Sequence, residues 1–252
     1  MRKIIPSILF ILTACSPIAP TTSTQQAAPT IEKTRTPTAT VVWFPPTATY
    51  TLVPTPERTP TPDPRTGVDE LLFQDDFSDA EVWTQQTSNN GTIVIAPNNM
   101  TLAVSKEEGF LFGLRTTPQL GDFYLEIDAE PSLCEGFDEY GLMLRVISDL
   151  DHYRFSIDCA GHAKLIRIYQ GGVAVLQTRT PGSVLPPGPF GIAHLGIWMQ
   201  DDMMRFFVNE NHVFTVQDRL LTSGTIGLFA RAASNTPVTV NFSNLSVWSL
   251  TP

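Results

Sequence analysis

Beyond residue 70 the chain is a succession of short segments in which large apolar residues alternate with polar ones. They run Leu71–Phe77, Thr92–Ala96, Met100–Val104, Phe110–Leu114, Phe123–Glu130, Gly141–Ile147 and Tyr153–Cys159. Lys164–Tyr169, Val173–Thr178, Ala193–Met199, Met203–Val208, Val213–Gln217, Thr225–Ala230 and Val238–Trp248 follow. Most are bounded by Gly, Asn, Asp or Pro, which break strands and favour turns. A period of two puts successive side chains on opposite faces, so each segment predicts a strand with one buried side. No amphipathic run is long enough for a sizeable helix. About twelve to fourteen short antiparallel strands predict an all-β sandwich or barrel.

Alternation also assigns faces. Phe123, Leu125, Ile127 and Ala129 oppose Tyr124, Glu126, Asp128 and Glu130; Tyr153, Phe155 and Ile157 oppose His152, Arg154, Ser156 and Asp158. Leu142, Leu144 and Val146 oppose Met143 and Arg145, so Arg145 is expected on a polar face. Asn209-Glu210-Asn211-His212 and Ser148-Asp149-Leu150-Asp151 read as tight hairpin turns, and Asn tolerates the positive φ such turns need. Four prolines between Pro181 and Pro189 predict a connection outside any ladder.

The first 66 residues follow other rules. Arg2 and Lys3 precede the apolar run Ile4–Leu12 and then Thr13-Ala14-Cys15, the layout of a secretory signal. Leu12 to Cys15 resembles the lipobox of bacterial lipoproteins. The resemblance implies cleavage before Cys15, a diacylglycerol on its thiol and residence on the extracytoplasmic side of a bacterial cell envelope. Residues 16–66 contain 11 Pro and 15 Thr and no apolar period. Such a stretch cannot bury enough surface to offset its ordering entropy, so a disordered stalk is expected there, with Trp43 and Phe44 its most apolar spot. Residues 67–252 then form one domain.

That domain holds 10 basic and 22 acidic side chains, a net charge of −12. Such a surface repels phosphate backbones and anionic headgroups, which excludes nucleic acid and leaves the lipid anchor as the membrane contact. A monomer is expected. With Cys15 lipidated, Cys134 and Cys159 remain, in a compartment where disulfides persist. A bridge between them is expected; two buried thiols are the other reading.

Asp75-Asp76-Phe77-Ser78 with Trp83, Phe123–Ile127, Tyr140–Arg145, His152–Phe155, Arg205–Asn209, Gly224–Phe229 and Val240–Leu245 carry a wider likeness. In order and spacing they resemble the concanavalin A-like lectin/glucanase jelly rolls of bacterial surface proteins, including the 3-keto-disaccharide hydrolase-like domains. The resemblance implies a two-sheet jelly roll and says little about activity. Asn211 departs from it, since Gly is usual nearer Asn209.

Two constellations carry candidate chemistry. Glu126, Asp128 and Glu130 share a strand face, and their spacing is similar to the catalytic strand of lichenase-type retaining glucanases. The likeness implies Glu126 as nucleophile, Glu130 as acid/base and Asp128 tuning both; an ordinary solvated strand face is the other reading. If the polar rows align on one sheet, Tyr124, Glu126, Arg145, His152, Arg154 and Trp198 form a binding surface for sugar hydroxyls or a protein partner. Alternatively Arg145 and Arg154 merely pair with Glu126 and Asp158. The four histidines sit on separate elements without ligand spacing, so no metal centre is expected. Asp75-Asp76 and Asp138-Glu139 offer oxygens for a structural Ca²⁺, without a full loop of ligands. No other cofactor is expected. The function expected is non-catalytic binding of a glycan or envelope protein; the alternative is a glycoside hydrolase acting on β-glucan or a modified disaccharide.

Overall fold

The computed structural model describes residues 63–85, 88–189, 191–233 and 237–251. The signal, Cys15 and nearly all of the stalk lie outside them. The strands are β1 Val68–Asp75, β2 Trp83–Gln85, β3 Gly91–Ala96, β4 Asn99–Val104, β5 Phe110–Arg115, β6 Phe123–Leu133, β7 Glu139–Ser148 and β8 Asp151–Asp158. β9 Ala163–Tyr169, β10 Gly172–Gln177, β11 Ala193–Gln200, β12 Met203–Val208, β13 Asn211–Gln217, β14 Thr225–Arg231 and β15 Val238–Leu250 complete them. Every segment predicted from alternation is a strand, with ends shifted by a few residues. The three-residue β2 is additional, too short for any period to reveal.

The strands form two antiparallel sheets. One runs β13-β12-β11-β6-β15-β4-β3, with β1 beside the C-terminal half of β15; the other runs β10-β9-β8-β7-β14-β5-β2. The inward rows meet between them: Phe123, Leu125, Ile127, Leu142, Leu144, Phe155, Phe206 and Val247 are all buried. Phe155 and Phe206 reach from opposite sheets to ring centroids 4.7 Å apart. Each such side chain contributes about 1.5–3 kcal/mol on burial.

Turn chemistry sets the registers. Val208 pairs with Asn211, so Asn209 and Glu210 alone make that turn, both at positive φ. Ser148 pairs with Asp151 in the same way. Pro131 does not end β6, which continues to Leu133: pairing with β11 stops at Ala129, so the missing N–H falls on an unpaired edge.

Cys134 and Cys159 are bridged, with Cα atoms 5.6 Å apart. The bridge ties the β6–β7 loop to the end of β8, where the Cys159 amide donates to the Asp138 carbonyl at 2.9 Å. Closing a loop of this length contributes about 3.5 kcal/mol on the chain-entropy model.

Candidate functional site

The six residues expected to share a binding surface do not. Tyr124 and Glu126 on β6 and Trp198 on β11 face outward from the eight-stranded sheet, whereas Arg145 on β7 and His152 and Arg154 on β8 belong to the seven-stranded sheet. Alternation separates inside from outside but does not say which sheet a strand joins, and β6 and β7 are consecutive strands of different sheets. Arg145 is not on a surface at all. A bulge after Leu144, with Arg145 at φ 47, turns its side chain into the end of the sandwich, where it is fully buried. There it donates to the carbonyls of Gly121, Asp201 and Leu221 and to Asp122. The same bulge moves Val146, expected in the core, into an outer cluster with Met143 and Phe229.

The outer face of the eight-stranded sheet is closed by the chain itself. Residues 63–66, read from composition as the end of the stalk, lie across it. Trp198 Nε1 donates to the Thr66 carbonyl at 2.8 Å, and Arg205, stacked 4.1 Å over the Trp198 ring, donates to the Pro64 carbonyl. Arg65 reaches Tyr124 Oη at 3.4 Å and pairs with Glu210. Tyr124, Trp198 and Phe207 are consequently almost fully buried. Trp198 is thus sealed beneath the approach segment.

The outer face of the seven-stranded sheet is built differently. Strand pairing aligns Phe110, Arg231, Glu139 and Asp158 in one row across β5, β14, β7 and β8. Phe112, Phe229, Gly141 and Ser156 form the next. Arg154 crosses β7 and lays its guanidinium 4.4 Å over the Phe110 ring and 5.3 Å from that of Phe229. Position 141 on β7 must be glycine, because a Cβ there would lie 2.2 Å from the Phe155 carbonyl oxygen. Glu139 is held by Lys164 at 2.5 Å, Arg231 at 3.6 Å and Arg179 at 3.7 Å; Asp158 is held by Arg179 at 2.7 Å and accepts from the His162 amide. Arg179 also covers the exposed Phe137 ring at 4.4 Å. Phe137 sits on the loop that the disulfide anchors.

Strand β8 carries the unsatisfied chemistry of this face. His152 Nδ1, Arg154 Nε and Ser156 Oγ are buried without a hydrogen-bond partner among the described residues. Burial, then the Arg154 charge, pushes His152 down to about 4, so it is neutral at pH 7. Burial also pushes Arg154 down to about 10, against the pull of Glu139. Buried polar atoms without a partner are costly, and three of them lie along this one strand.

Glu126 and Glu130 are not gathered as a hydrolytic pair. Glu126 accepts from Tyr124 Oη at 2.5 Å, which draws it along the strand away from Glu130, and Glu130 is exposed. β6 is regular against β11 here, which leaves positions 126 and 130 about 13 Å apart along the strand. Retaining hydrolysis needs carboxyls ~5–5.5 Å apart. Asp128 instead holds His194 Nδ1 at 2.8 Å and accepts from Asn244. Of the carboxylates considered for Ca²⁺, Asp75 accepts from the Phe77 amide, Trp83 Nε1 and Arg115 Nε, and Asp138 from the Glu135 and Ala233 amides. Asp76 accepts from the Ser78 amide, and Glu139 carries the cations named above. These are structural corners. Two cavities, of about 160 and 380 Å³, lie at the β1–β15 corner and beside β13, and neither includes a residue of the seven-stranded face.

Sequence reasoning missed Phe110, Phe229, Glu139 and Arg231 as neighbours of Arg154. Their only signal is the outward phase of each strand. It also missed His194 and Glu210, whose nitrogen and carboxylate oxygens lie with one from Glu126 inside a 4.8 Å circle.

The fold is a concanavalin A-like jelly roll. It is similar to carbohydrate-binding module CBM66 from Bacillus subtilis at 20% identity and TM-score 0.52, over 67% of this chain and 96% of that one. A Bacillus subtilis protein of unknown function with a galectin-like fold matches at 14% identity and TM-score 0.56, over 72% and 97%. The Bacillus licheniformis β-glucanase matches at 12% identity and TM-score 0.54, over 71% and 98%. No protein-family model and no curated protein sequence matches the chain.

Proposed function

We propose that this protein is a lipid-anchored, extracytoplasmic module that binds carbohydrate without turning it over, through the outer face of its seven-stranded sheet. The observation that carries the reading is the Arg154 guanidinium stacked on Phe110 and Phe229 beside the Glu139–Asp158 row. Of this face Phe110, Phe112 and Arg154 are partly exposed, offering flat apolar contact to a sugar's C–H face and planar donors to its hydroxyls, while Phe229, Glu139 and Asp158 are buried. Likeness to a carbohydrate-binding module supports the same ligand class. Glu139 and Asp158 are buried and engaged by cations or amides, which suits a supporting role beneath the contact surface better than a proton-shuttling pair. The basic start, the short apolar run and Cys15 support anchoring, and the Thr/Pro stretch supports display away from the membrane.

Glycan arrays and envelope-polysaccharide pull-downs with the folded protein test this reading. Saturable binding that falls at least tenfold in Arg154→Ala but not in Arg205→Ala is expected. Blank arrays, or capture of envelope protein alone, would overturn it. Likeness to the β-glucanase favours glycoside hydrolysis as a second reading, although Glu126 and Glu130 are too far apart to serve as its paired carboxyls. Reducing-sugar release from β-glucans by the folded protein would establish it.

A further inference from the structure

We propose that Glu126, His194 and Glu210 form a binding site for a divalent transition-metal ion of the zinc class on the opposite side of the sandwich. The inference is independent of the glycan face. The three ligands come from β6, the neighbouring β11 and the β12–β13 turn, and the fold fixes each in place. The His194 amide donates to Asn209 Oδ1 at 2.9 Å, and the Asn209 amide donates to the His194 carbonyl at 2.8 Å. This reciprocal pair clamps the turn to β11 and sets Glu210 beside the imidazole.

Each ligand spends one polar atom on a protein partner and turns another toward a common point, where a metal ion would take the place of the His194 proton now shared with the two carboxylates. Glu126 Oε1 accepts from Tyr124 Oη, and Oε2 faces His194 Nε2 at 3.7 Å. Glu210 Oε2 is held by Arg65, and Oε1 lies 3.4 Å from the same nitrogen. His194 Nδ1 is committed to Asp128, itself held by Asn244. A carboxylate on the distal nitrogen is the device that orients metal-bound imidazoles and strengthens them as ligands. Separations of 3.4 and 3.7 Å are close to those between ligands of a tetrahedral ion with bonds of ~2.0–2.2 Å.

Two further features favour a cation here. Glu210 occupies φ 65, where Gly or Asn is easier, so its side chain is kept at a backbone cost. Arg65, brought by the approach segment, already lies 4.0 Å from Glu126 while bonded to Glu210, so the cluster draws positive charge. One imidazole with two carboxylates suits Zn²⁺, Co²⁺ or Fe²⁺ better than Ca²⁺, which prefers oxygen alone. Glu210 is more than half exposed, so an ion has access and a fourth position remains for water.

The test is equilibrium dialysis of the full chain against Zn²⁺, with Co²⁺ as a spectroscopic probe and no sugar present. One Zn²⁺ per chain is expected, weakened at least tenfold in His194→Gln and in Glu210→Gln, and by about 10–100-fold in Asp128→Asn. Bound Co²⁺ should show a visible absorption band that His194→Gln abolishes. A far-UV spectrum matching wild type certifies each variant as folded. The proposal is overturned if Zn²⁺ fails to saturate at one equivalent up to millimolar concentration. Binding that survives in a folded His194→Gln/Glu210→Gln double variant would overturn it equally.

Discussion

The two outer faces of this sandwich are made from the same materials, aromatic rings, arginines and carboxylates, and are finished in opposite ways. On the eight-stranded sheet Arg65, Thr66 and Pro64 cover Tyr124, Trp198 and Phe207, and the Trp198 indole and Arg205 guanidinium find backbone carbonyls. On the seven-stranded sheet no segment among the described residues plays that part for Arg154. It lies on two rings, while His152, Arg154 and Ser156 each keep a buried polar atom without a partner among the described residues. A covered face serves stability, as buried polar groups normally do when hydrogen-bonded. The other face carries a cost that, on the proposed function, a bound glycan would offset. An aromatic residue in a sequence therefore says little about binding until one knows what lies on top of it.

The contrast can be broken or sharpened in several ways. The largest effect belongs to the bridge beneath the open face. Replacing Cys134 and Cys159 with Ser should cost about 3.5 kcal/mol of unfolding free energy. Denaturant titration reads the loss, and proteolysis near Phe137 should accelerate. An unchanged midpoint would show that the loop is held without the bridge.

Next comes pH. His152 is buried and titrates at about 4 in the fold, against about 6.5 when unfolded. Its folded pKa is depressed, so the neutral form is favoured and stability is greatest above pH 6.5. As pH falls from 6.5 towards 4 the unfolded chain takes up the proton first. Lowering pH from 8 to 4.5 should therefore cost about 2.5 kcal/mol through this group. His152→Gln should flatten that part of the profile. A wild-type slope retained in the variant would place the cost elsewhere.

A smaller effect is expected on affinity. Arg154→Ala should weaken binding of whichever glycan the array identifies by about 1.5–2 kcal/mol, and Arg154→Lys by nearly as much, because an ammonium lacks the planar stack. Calorimetric titration measures both. The smallest concerns the covered face. Arg65→Ala removes contacts to Tyr124 and Glu210 that together contribute about 1 kcal/mol or less. It should speed proteolysis around residues 63–66 and leave glycan affinity unchanged. A gain in affinity would mean that the approach segment covers the true site.

Much of the architecture was legible in the alternation of residues. Segments such as Phe123–Ala129 and Tyr153–Ile157 state their inward rows outright, because the period of a strand is fixed by covalent geometry. The Cys134–Cys159 bridge followed from the expected export and from the position of Cys159 at a strand end. The candidate site was less legible, for three physical reasons. Sheet membership depends on crossovers, so Tyr124 and Trp198 were grouped with Arg154 across the thickness of the sandwich. A single bulge at Arg145 inverted the phase of β7 and sent that side chain to the interior. Lastly, Glu126, His194 and Glu210 are 68 and 16 residues apart, and only pairing of β11 with β6 and β12 brings them together.

The most direct test is backbone chemical-shift mapping of the domain during titration with its best array glycan. Shifts concentrated at Phe110, Gly141, Arg154, Ser156 and Phe229 are predicted, with Tyr124, Trp198 and Phe207 silent. Shifts centred on Tyr124 and Trp198, with β8 unmoved, would contradict the assignment of the open face as the receptor.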